Sequence, residues 1–446
     1  MNIIIVGAGD IGFSLAKRLA YEKHNISIIE SEQERFKYVE QALDAQVLLG
    51  HGADFKLLHQ AGVEHADLLI AVSDQDEVNI MAAMAAKEAG CKKTLARVSN
   101  PQYLSSKAYL NADKLGIDTL LHPESIVAKG AVRLLRQSAA SDIIEFADGQ
   151  LVLLGIHLDA NCPILRLPLR EISAQYSQFP FRITAIQRKD FTKIPGGDDI
   201  LMPNDHIFVV LDRENIPQLL KMVGKHNISL ERIMILGGGQ IGYLIANELE
   251  DNHQVKIVES NVEKSYTLAE RLDRSMVIHG DGRDINLLAL EGIIDMDAFI
   301  AVTGDDETNI ITCLMAKHLR VPRIISLINK PDYAPIIPTI GIDAFVSKQS
   351  LVVSGILKFI RQGEIVSIAS IPGVEAEIIE LIAQPGSKIT KKPILKIAFP
   401  QNALLGGVIR GDQIIIPTGN TQILAGDKVV VFALPGAVKK VEKLFS

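Results

Sequence analysis

The sequence predicts an α/β protein: two doubly wound parallel sheets, each followed by a small α+β module. Three observations carry this. Short Val/Ile/Leu runs alternate with helix-length segments, the pattern of strands joined by crossover helices. Ile, Val, Leu, Ala and Gly supply the apolar content, while aromatics are 5% and Trp is absent, a composition suited to strands buried on both faces. And the chain repeats itself at about half its length.

The repeat is legible residue by residue. Ile5-Val6-Gly7-Ala8-Gly9-Asp10-Ile11-Gly12 reads against Ile235-Leu236-Gly237-Gly238-Gly239-Gln240-Ile241-Gly242 at a shift of 230. The same shift aligns the run from Ala71 to Asn79 with that from Ala301 to Asn309, identical at five of nine positions. Between them His51-Gly52 matches His279-Gly280 at a shift of 228. The halves read as duplicates with small insertions.

In the first half the spacing predicts a strand at Asn2–Val6 and a helix from Asp10 with Ile11, Leu15 and Leu19 on one face. A strand at Ile26–Ile29 ends at Glu30, a helix covers Glu32–Leu43, and a strand follows at Gln46–Leu49. Then come a helix at Asp54–Gln60, a strand at Leu68–Val72, a helix at Glu77–Ala89 and a strand at Thr94–Val98. Pro101 suits the first turn of a further helix, before a strand at Asp118–Leu121 and a helix at Pro123–Arg136. From residue 140 strand-like runs dominate: Ile143–Phe146, Leu151–His157, Ile183–Ile186 and Ile207–Leu211, then a helix at Pro217–Val223. The second half closes alike, with strands at Glu364–Ser370, Glu377–Ile382, Leu404–Arg410, Gln413–Pro417 and Lys428–Phe432 and a helix at Pro435–Phe445. The expected modules are 1–123 and 229–348 for the parallel sheets, and 140–225 and 365–446 for the α+β tails.

At 446 residues with 48% apolar and 22% charged content, the chain can build several packed cores. Lys plus Arg is 46 against 53 Asp plus Glu, a net charge of −7. That balance gives no general attraction to nucleic acid or anionic lipid. Cys91, Cys162 and Cys313 are isolated, so no CxxC metal or redox motif is available, and isolated cysteines suit a reducing cytoplasm. Met1–Val6 lacks a signal sequence's basic start and long apolar run. No apolar stretch approaches the roughly 20 residues needed to span a bilayer, so a membrane role has to act through a partner.

The chemistry sits in the glycine motif. GxGxxG alone is a weak signal, but here it follows a strand, opens a helix and meets an acid about 20 residues on, in both halves. Gly7 and Gly237 allow the tight turn, Gly9 and Gly239 the approach of a pyrophosphate, and Gly12 and Gly242 close helix packing. The helix start presents unpaired N–H groups to phosphates. Glu30 and Glu259 can accept from ribose hydroxyls and would repel a 2′-phosphate, favouring NAD(H) or an adenosine nucleotide over NADP(H). Ser73 and Asp74, like Thr303 and Gly304, stand at the switch point, as ligand contacts or as helix caps. Arg97 can neutralise pyrophosphate charge or serve a surface ion pair, and its counterpart is Leu327. His51 and His279 lack partners at metal-ligand spacing and read as loop histidines.

Two modules with GxGxxG, a second-strand Glu and an A-V-[ST]-x-x-[DE]-E-x-N run, each with an α+β tail, resemble RCK (regulator of potassium conductance) domains. Their tandem order over essentially the whole chain is similar to the peripheral subunits of Trk potassium-uptake systems. The resemblance implies a regulatory, non-catalytic subunit that binds NAD(H), or ATP and ADP. It implies a homo-oligomeric ring (dimer or tetramer), cytoplasmic and peripheral beneath a TrkH/TrkG-like integral-membrane potassium-translocating subunit. It carries the first site onto Gly7, Ala8, Gly9, Asp10, Ile11, Glu30, Ser73, Asp74 and Arg97. The second falls on Gly237, Gly238, Gly239, Gln240, Ile241 and Glu259. Leu327 departs from the pattern, and the loop acid is shifted, Asp54 against Asp281.

The alternative is an NAD-dependent oxidoreductase. Tyr103 and Lys107 have Y-x-x-x-K spacing, but Gly90 stands where a catalytic Ser would, and the second copy has Tyr333 with Ile337. A third reading is a scaffold whose second site has lost its ligand.

Overall fold

The computed structural model describes residues 1–104, 109–136, 140–146, 149–189, 191–225, 230–360, 365–370 and 376–445. They divide into two units, Met1–Val127 with Leu351–Gly355, and Ala128–Ser350 with Ile356–Ser446.

In the first unit β1 (Asn2–Val6), β2 (Asn25–Glu30), β3 (Gln46–Leu49), β4 (Leu68–Ala71), β5 (Lys93–Arg97) and β6 (Thr119–Leu121) form a sheet in the order β3-β2-β1-β4-β5-β6. Every pairing is parallel. The order reverses between β1 and β4, the switch point where ligands bind in such sheets. β4 is buried along its whole length, which is why it carries no polar alternation.

The second unit repeats this sheet with β12 (Arg232–Leu236), β13 (Gln254–Glu259), β14 (Met276–His279), β15 (Ala298–Ala301), β16 (Arg323–Ile328) and β17 (Ala344–Ser347), in the order β14-β13-β12-β15-β16-β17.

The tails are also duplicates. β7 (Asp142–Phe146), β8 (Leu151–His157), β9 (Phe181–Arg188), β10 (Phe191–Lys193) and β11 (His206–Asp212) are ordered β10-β9-β11-β8-β7. β18 (Ile365–Ser370), β19 (Glu377–Ile382), β20 (Ala403–Arg410), β21 (Gln413–Ile415) and β22 (Lys428–Ala433) follow the same plan from the other edge, β18-β19-β22-β20-β21. Each tail contains the same clasp. Arg188 grips the buried Asp205 at 2.7 and 2.8 Å, and Arg410 grips Asp427 at 2.9 and 2.7 Å. A bidentate fork satisfies both carboxylate oxygens and fixes the plane of the pair.

One face of each tail sheet meets the other. Leu151, Leu153, Phe208 and Val210 share a buried cluster with Ile378, Val430 and Phe432, the Phe208 and Phe432 rings lying 6.2 Å apart. The opposite face of the first tail packs under the helix Ile216–Met222. A buried arginine ties the second parallel sheet to the chain before the first tail. Arg323, on β16, donates to the carbonyls of Leu134 and Ala140 at 2.9 and 2.7 Å. Burial pulls its guanidinium down to about 10, so it stays charged at neutral pH.

The predicted strands and long helices are present, and the differences lie in short elements, among them an unexpected one-turn helix at Ala112–Leu115. Pro101 opens a single 3-10 turn, Pro101–Leu104. A helix at Leu169–Gln175 and the short strand β10 were not expected. β10 is three residues long and turns back on β9 through Lys189 at φ +56°, too short for a period to register. Among the described residues no helix is long and apolar enough to cross a membrane. The three cysteines are buried and free.

In the first tail His157 stacks on His206 at 4.0 Å, beside Asp142, which lies 3.2 Å from His206. Burial and the neighbouring His206, with a smaller push from Lys225, press His157 down to about 3 against the opposing pull of Asp142 and Asp159. The unfolded chain takes up that proton near pH ~6.5 and the folded chain does not, so stability is full above that pH and falls as pH drops towards 3. At the corresponding place the second tail has Ile382. His157→Ile should flatten the acid-side decline in thermal stability between pH 7 and 4. An unchanged slope would show that other groups set it.

Candidate functional site

Each parallel sheet ends its first strand in a glycine turn that runs straight into a helix. Gly7 and Gly237 take φ of +91° and +103°, where a side chain is strained. A Cβ on Gly7 would lie 2.8 Å from the Ser73 backbone, and one on Gly237 3.0 Å from that of Val302 and Thr303. A Cβ on Gly12 would stand 2.0 Å from the Gly7 carbonyl oxygen, and one on Gly242 1.9 Å from that of Gly237. The outer glycines are therefore demanded by the fold. The middle ones are not: Gly9 and Gly239 have φ of −58° and −65°, and among the described residues no atom beyond their chain neighbours and own helix lies within 4 Å of the Cβ they lack. Their smallness serves nothing inside the chain. It leaves open space at the start of the helices Asp10–Tyr21 and Gln240–Leu249, whose first N–H groups lack helical partners.

The second-strand acids are tethers of that turn. Glu30 is buried and accepts from Ala8 N–H at 2.7 Å and Glu32 N–H at 2.9 Å. Glu259 accepts from Gly238 at 2.8 Å and Asn261 at 2.7 Å. Sequence reasoning gave these carboxylates to a ribose. Each oxygen here has one backbone donor, and a carboxylate has about four acceptor positions, so the tether leaves acceptor capacity over.

Across the switch point the buried Asn79 organises the facing wall. Its Oδ1 accepts from Ser73 N–H and hydroxyl at 2.9 and 2.8 Å, and its Nδ2 donates to the carbonyls of Ser73 and Arg97 at 2.9 and 3.0 Å. Asn309 repeats this with Thr303 and Leu327. One amide thus sets both Ser73 and the end of β5. The motif run contained Asn79 and Asn309, yet only the fold shows what they hold. Ser73 and Asp74 are not the helix caps: the cap position is Gln75, and in the second copy Asp305, which accepts from Thr308 at 2.7 Å.

Arg97 is half-buried, and its Nε is buried without a hydrogen-bond partner among the described residues. Leu327, its counterpart, is buried. Asp10 puts a carboxylate on the helix start with its side chain 83% exposed, paired with Arg35 at 3.4 Å. Arg35 was missed by sequence reasoning. It donates to the Ala8 carbonyl at 2.8 Å and lies 5.6 Å from both the Phe13 and Tyr38 rings. Its signal was a cation five residues beyond the acid, matched by Lys264 beyond Glu259. In the second copy the cleft encloses ≈ 410 Å³ between Gly237, Gly239, Glu259, Lys264, Arg283 and Thr303. Gly238, Gln240, Ile241 and Gly242 stand behind this lining, in the turn and first helical turn.

The structure corrects the loop alignment. β3 and β14 correspond at a shift of 230, not 228, because the copies differ by one residue after the first helix and recover it after the second. Gly50 then matches Gly280, each donating to the carbonyl of the second-strand acid. His51 matches Asp281, and Asp54 matches Asp284. Asp54 and Asp284 play one part, accepting from Lys56 at 2.8 Å and Asn286 at 2.9 Å as helix caps. His279 closes β14 with its Nε2 3.1 Å from the Ser260 carbonyl oxygen, and His51 sits in its own turn, its Nδ1 accepting from Ala53 at 3.3 Å. Of the oxidoreductase spacing, Tyr103 lies in the 3-10 turn and Lys107 lies outside the described residues. Tyr333 donates to Glu307 at 2.6 Å.

Comparison with known proteins bears on the whole chain. Residues 3–123 and 233–348 match the TrkA-N domain, and residues 153–224 and 378–446 the TrkA-C domain. The chain is 35% identical over 451 residues to the Trk system potassium uptake protein TrkA of Azorhizobium caulinodans, covering 100% of this chain and 98% of that one. It is 34% identical over 450 residues to TrkA of Halomonas elongata, with the same coverage. Among solved structures the GsuK RCK domain superposes with a TM-score of 0.60 at 18% identity, covering 100% of this chain and 94% of that one. The GsuK channel bound to NAD gives 0.60 at 18%, covering 100% and 78%. GsuK bound to ADP gives 0.52 at 17%, covering 81% and 70%. At these identities the likeness is one of fold.

The turns also differ in how they pack. Ala8 and Val39 are both buried, whereas a Cβ on Gly238 would lie 2.3 Å from Leu268, the residue matching Val39. Gly238→Ala should therefore destabilise the second module by about 1–3 kcal/mol, and adding Leu268→Val should restore part of the loss in chemical denaturation, the approach to the Glu259 Cβ and Oε2 at 3.0 Å remaining. Equal stability of the single variant and the parent would sink this packing argument.

Proposed function

The chain belongs to the TrkA family of Trk system potassium uptake proteins, and from that premise we propose that it is the nucleotide-binding regulatory subunit of such a system. In this reading NAD(H), or ATP and ADP, bind at the glycine turns. The protein acts from the cytoplasmic side as a homo-oligomeric ring on an integral-membrane potassium-translocating subunit and gates it. The observation that carries the reading is the open space at Gly9 and Gly239, which nothing among the described residues fills. The buried carboxylate beside each turn supports it, as do the N–H groups of the helix start.

The proposed residues are Gly7, Ala8, Gly9, Asp10, Ile11, Gly12, Glu30, Ser73, Asp74 and Arg97 in the first cleft. In the second they are Gly237, Gly238, Gly239, Gln240, Ile241, Gly242 and Glu259. Gly7, Gly12, Gly237 and Gly242 shape the turn. The backbone of the rest of the turn meets the diphosphate, the glutamate the ribose, and Arg97 the phosphate charge.

Such a subunit needs differential affinity, not chemistry. A ligand that prefers one arrangement of the modules tenfold shifts their balance by about 1.4 kcal/mol. Arg323 offers a route for the shift: at one end of β16 the Leu327 carbonyl accepts from Asn309, which also holds Thr303 of the cleft wall, and at the other Arg323 holds the Leu134 and Ala140 carbonyls.

Gly9→Asp and Gly239→Asp test the reading without breaking the fold, since each site has room for a side chain. Calorimetry with NADH, NAD+, ATP and ADP should show each variant losing one saturable site, with unchanged circular dichroism. Parent protein that binds none of the four overturns the proposal. Co-purification with a multi-span potassium-translocating protein in mild detergent is the expected result for the partner, and its failure would remove that part.

A further inference from the structure

The two clefts share a frame but not their arginines. At the end of β5 stands Arg97, and at the same place on β16 stands the buried Leu327. In the loop after the third strand the relation is reversed, Ala53 in the first copy corresponding to Arg283 in the second. The arginine has changed sides of the switch point. In a doubly wound sheet the first three strands carry one mononucleotide and the strands beyond the switch point the other. Arg97 thus stands on the second-nucleotide side. Arg283 stands on the adenosine side, one strand over from Glu259, which pairs with His279.

The second cleft is otherwise built to that side. Arg283, Asp281 and Lys264 line it. Asp281 holds the guanidinium by a two-pronged contact, Nε to Oδ1 at 3.0 Å and Nη2 to Oδ2 at 2.7 Å, which fixes its plane. Lys264 lines the cleft, whereas its counterpart Arg35 is bonded to the Ala8 carbonyl. Beyond the switch point Lys330 is bonded to Glu307 at 2.6 Å, and the buried Leu327 supplies no charge at the strand position where Arg97 carries one.

We propose that the second cleft is an adenine mononucleotide site, a nucleoside di- or triphosphate being recognised on its base-and-ribose side by Arg283, while the first cleft, with Arg97 across the switch point, takes the dinucleotide. This rests on the nucleotide-binding reading above. A guanidinium held flat by Asp281 can stack on an adenine or donate to a ribose hydroxyl, and a lysine cannot reproduce the planar fork. Asp281 acts as the positioning residue for Arg283.

The test uses the full chain and two probes, ADP and NAD+. Gly9→Asp isolates the second cleft and Gly239→Asp the first, and calorimetry reads each. The second cleft should take ADP at least tenfold more tightly than NAD+, and the first should show no such preference. Adding Arg283→Ala should weaken ADP at the second cleft about tenfold and leave the first within about twofold. Arg283→Lys should recover only part of the loss. NAD+ binding the second cleft as tightly as ADP, or Arg283→Ala without effect there, overturns the proposal while leaving nucleotide binding intact. Absence of any binding by either probe at either cleft is a different result, and removes the underlying reading.

Discussion

The structure depends on one close approach, made twice. The helix that follows each glycine turn comes so near the turn's own carbonyl that a single carbon at Gly12 or Gly242 would fall about 2 Å from it. That contact sets the angle at which the helix leaves the strand, and so the direction in which its first N–H groups point. The buried glutamate of the second strand then locks the turn from the other side through one backbone amide. Asn79 and Asn309 lock the opposite wall. Each cleft is thus bounded by groups whose hydrogen bonds are already made inside the chain. A ligand arriving there meets a preformed surface, and little ordering has to accompany its binding.

Much of this was legible in the sequence because the physics is local. Strands buried on both faces must be uniformly apolar, so β1, β4 and their repeats announce themselves. A strand–glycine–helix junction has few alternatives to GxGxxG. What was not legible was whatever depends on a partner distant in sequence. Arg35 is an unremarkable helix residue until the fold brings it to the Ala8 carbonyl. Asn79 looks like a helix residue among others until its four bonds are counted. The loop alignment failed for a related reason: His-Gly occurs in both halves, and an identity of two residues outweighed the strand register, which only pairing with the neighbouring strand fixes. Short elements such as β10 fall below the length at which periodicity says anything.

The duplication is unequal in an informative way. The parts that set geometry are kept in both copies: the outer glycines, the tethering glutamate, the asparagine hub, and in the tails the Arg–Asp clasp. The strand end and loop beside the clefts differ, as Arg97 against Leu327 and Ala53 against Arg283 show. Where the first copy has Ala8 and Val39, the second has Gly238 and Leu268, and a Cβ on Gly238 would meet that leucine at 2.3 Å. This is what two halves under one folding constraint but separate ligand constraints would accumulate.

The meeting of the two tail sheets illustrates what covalent linkage permits. β20 carries Gly406-Gly407 where β9 carries Thr184-Ala185, and a methyl on Gly407 would come 2.6 Å from the Leu151 side chain. The seam therefore fits a first tail to a second tail. Two first tails brought together in the same geometry would set the Ala185 methyl where Leu151 has no room. A symmetric pair of identical chains could never make that distinction, because every residue of its seam must suit its own image. Here the Leu151 side chain would have to turn aside before two first tails could pack in that geometry.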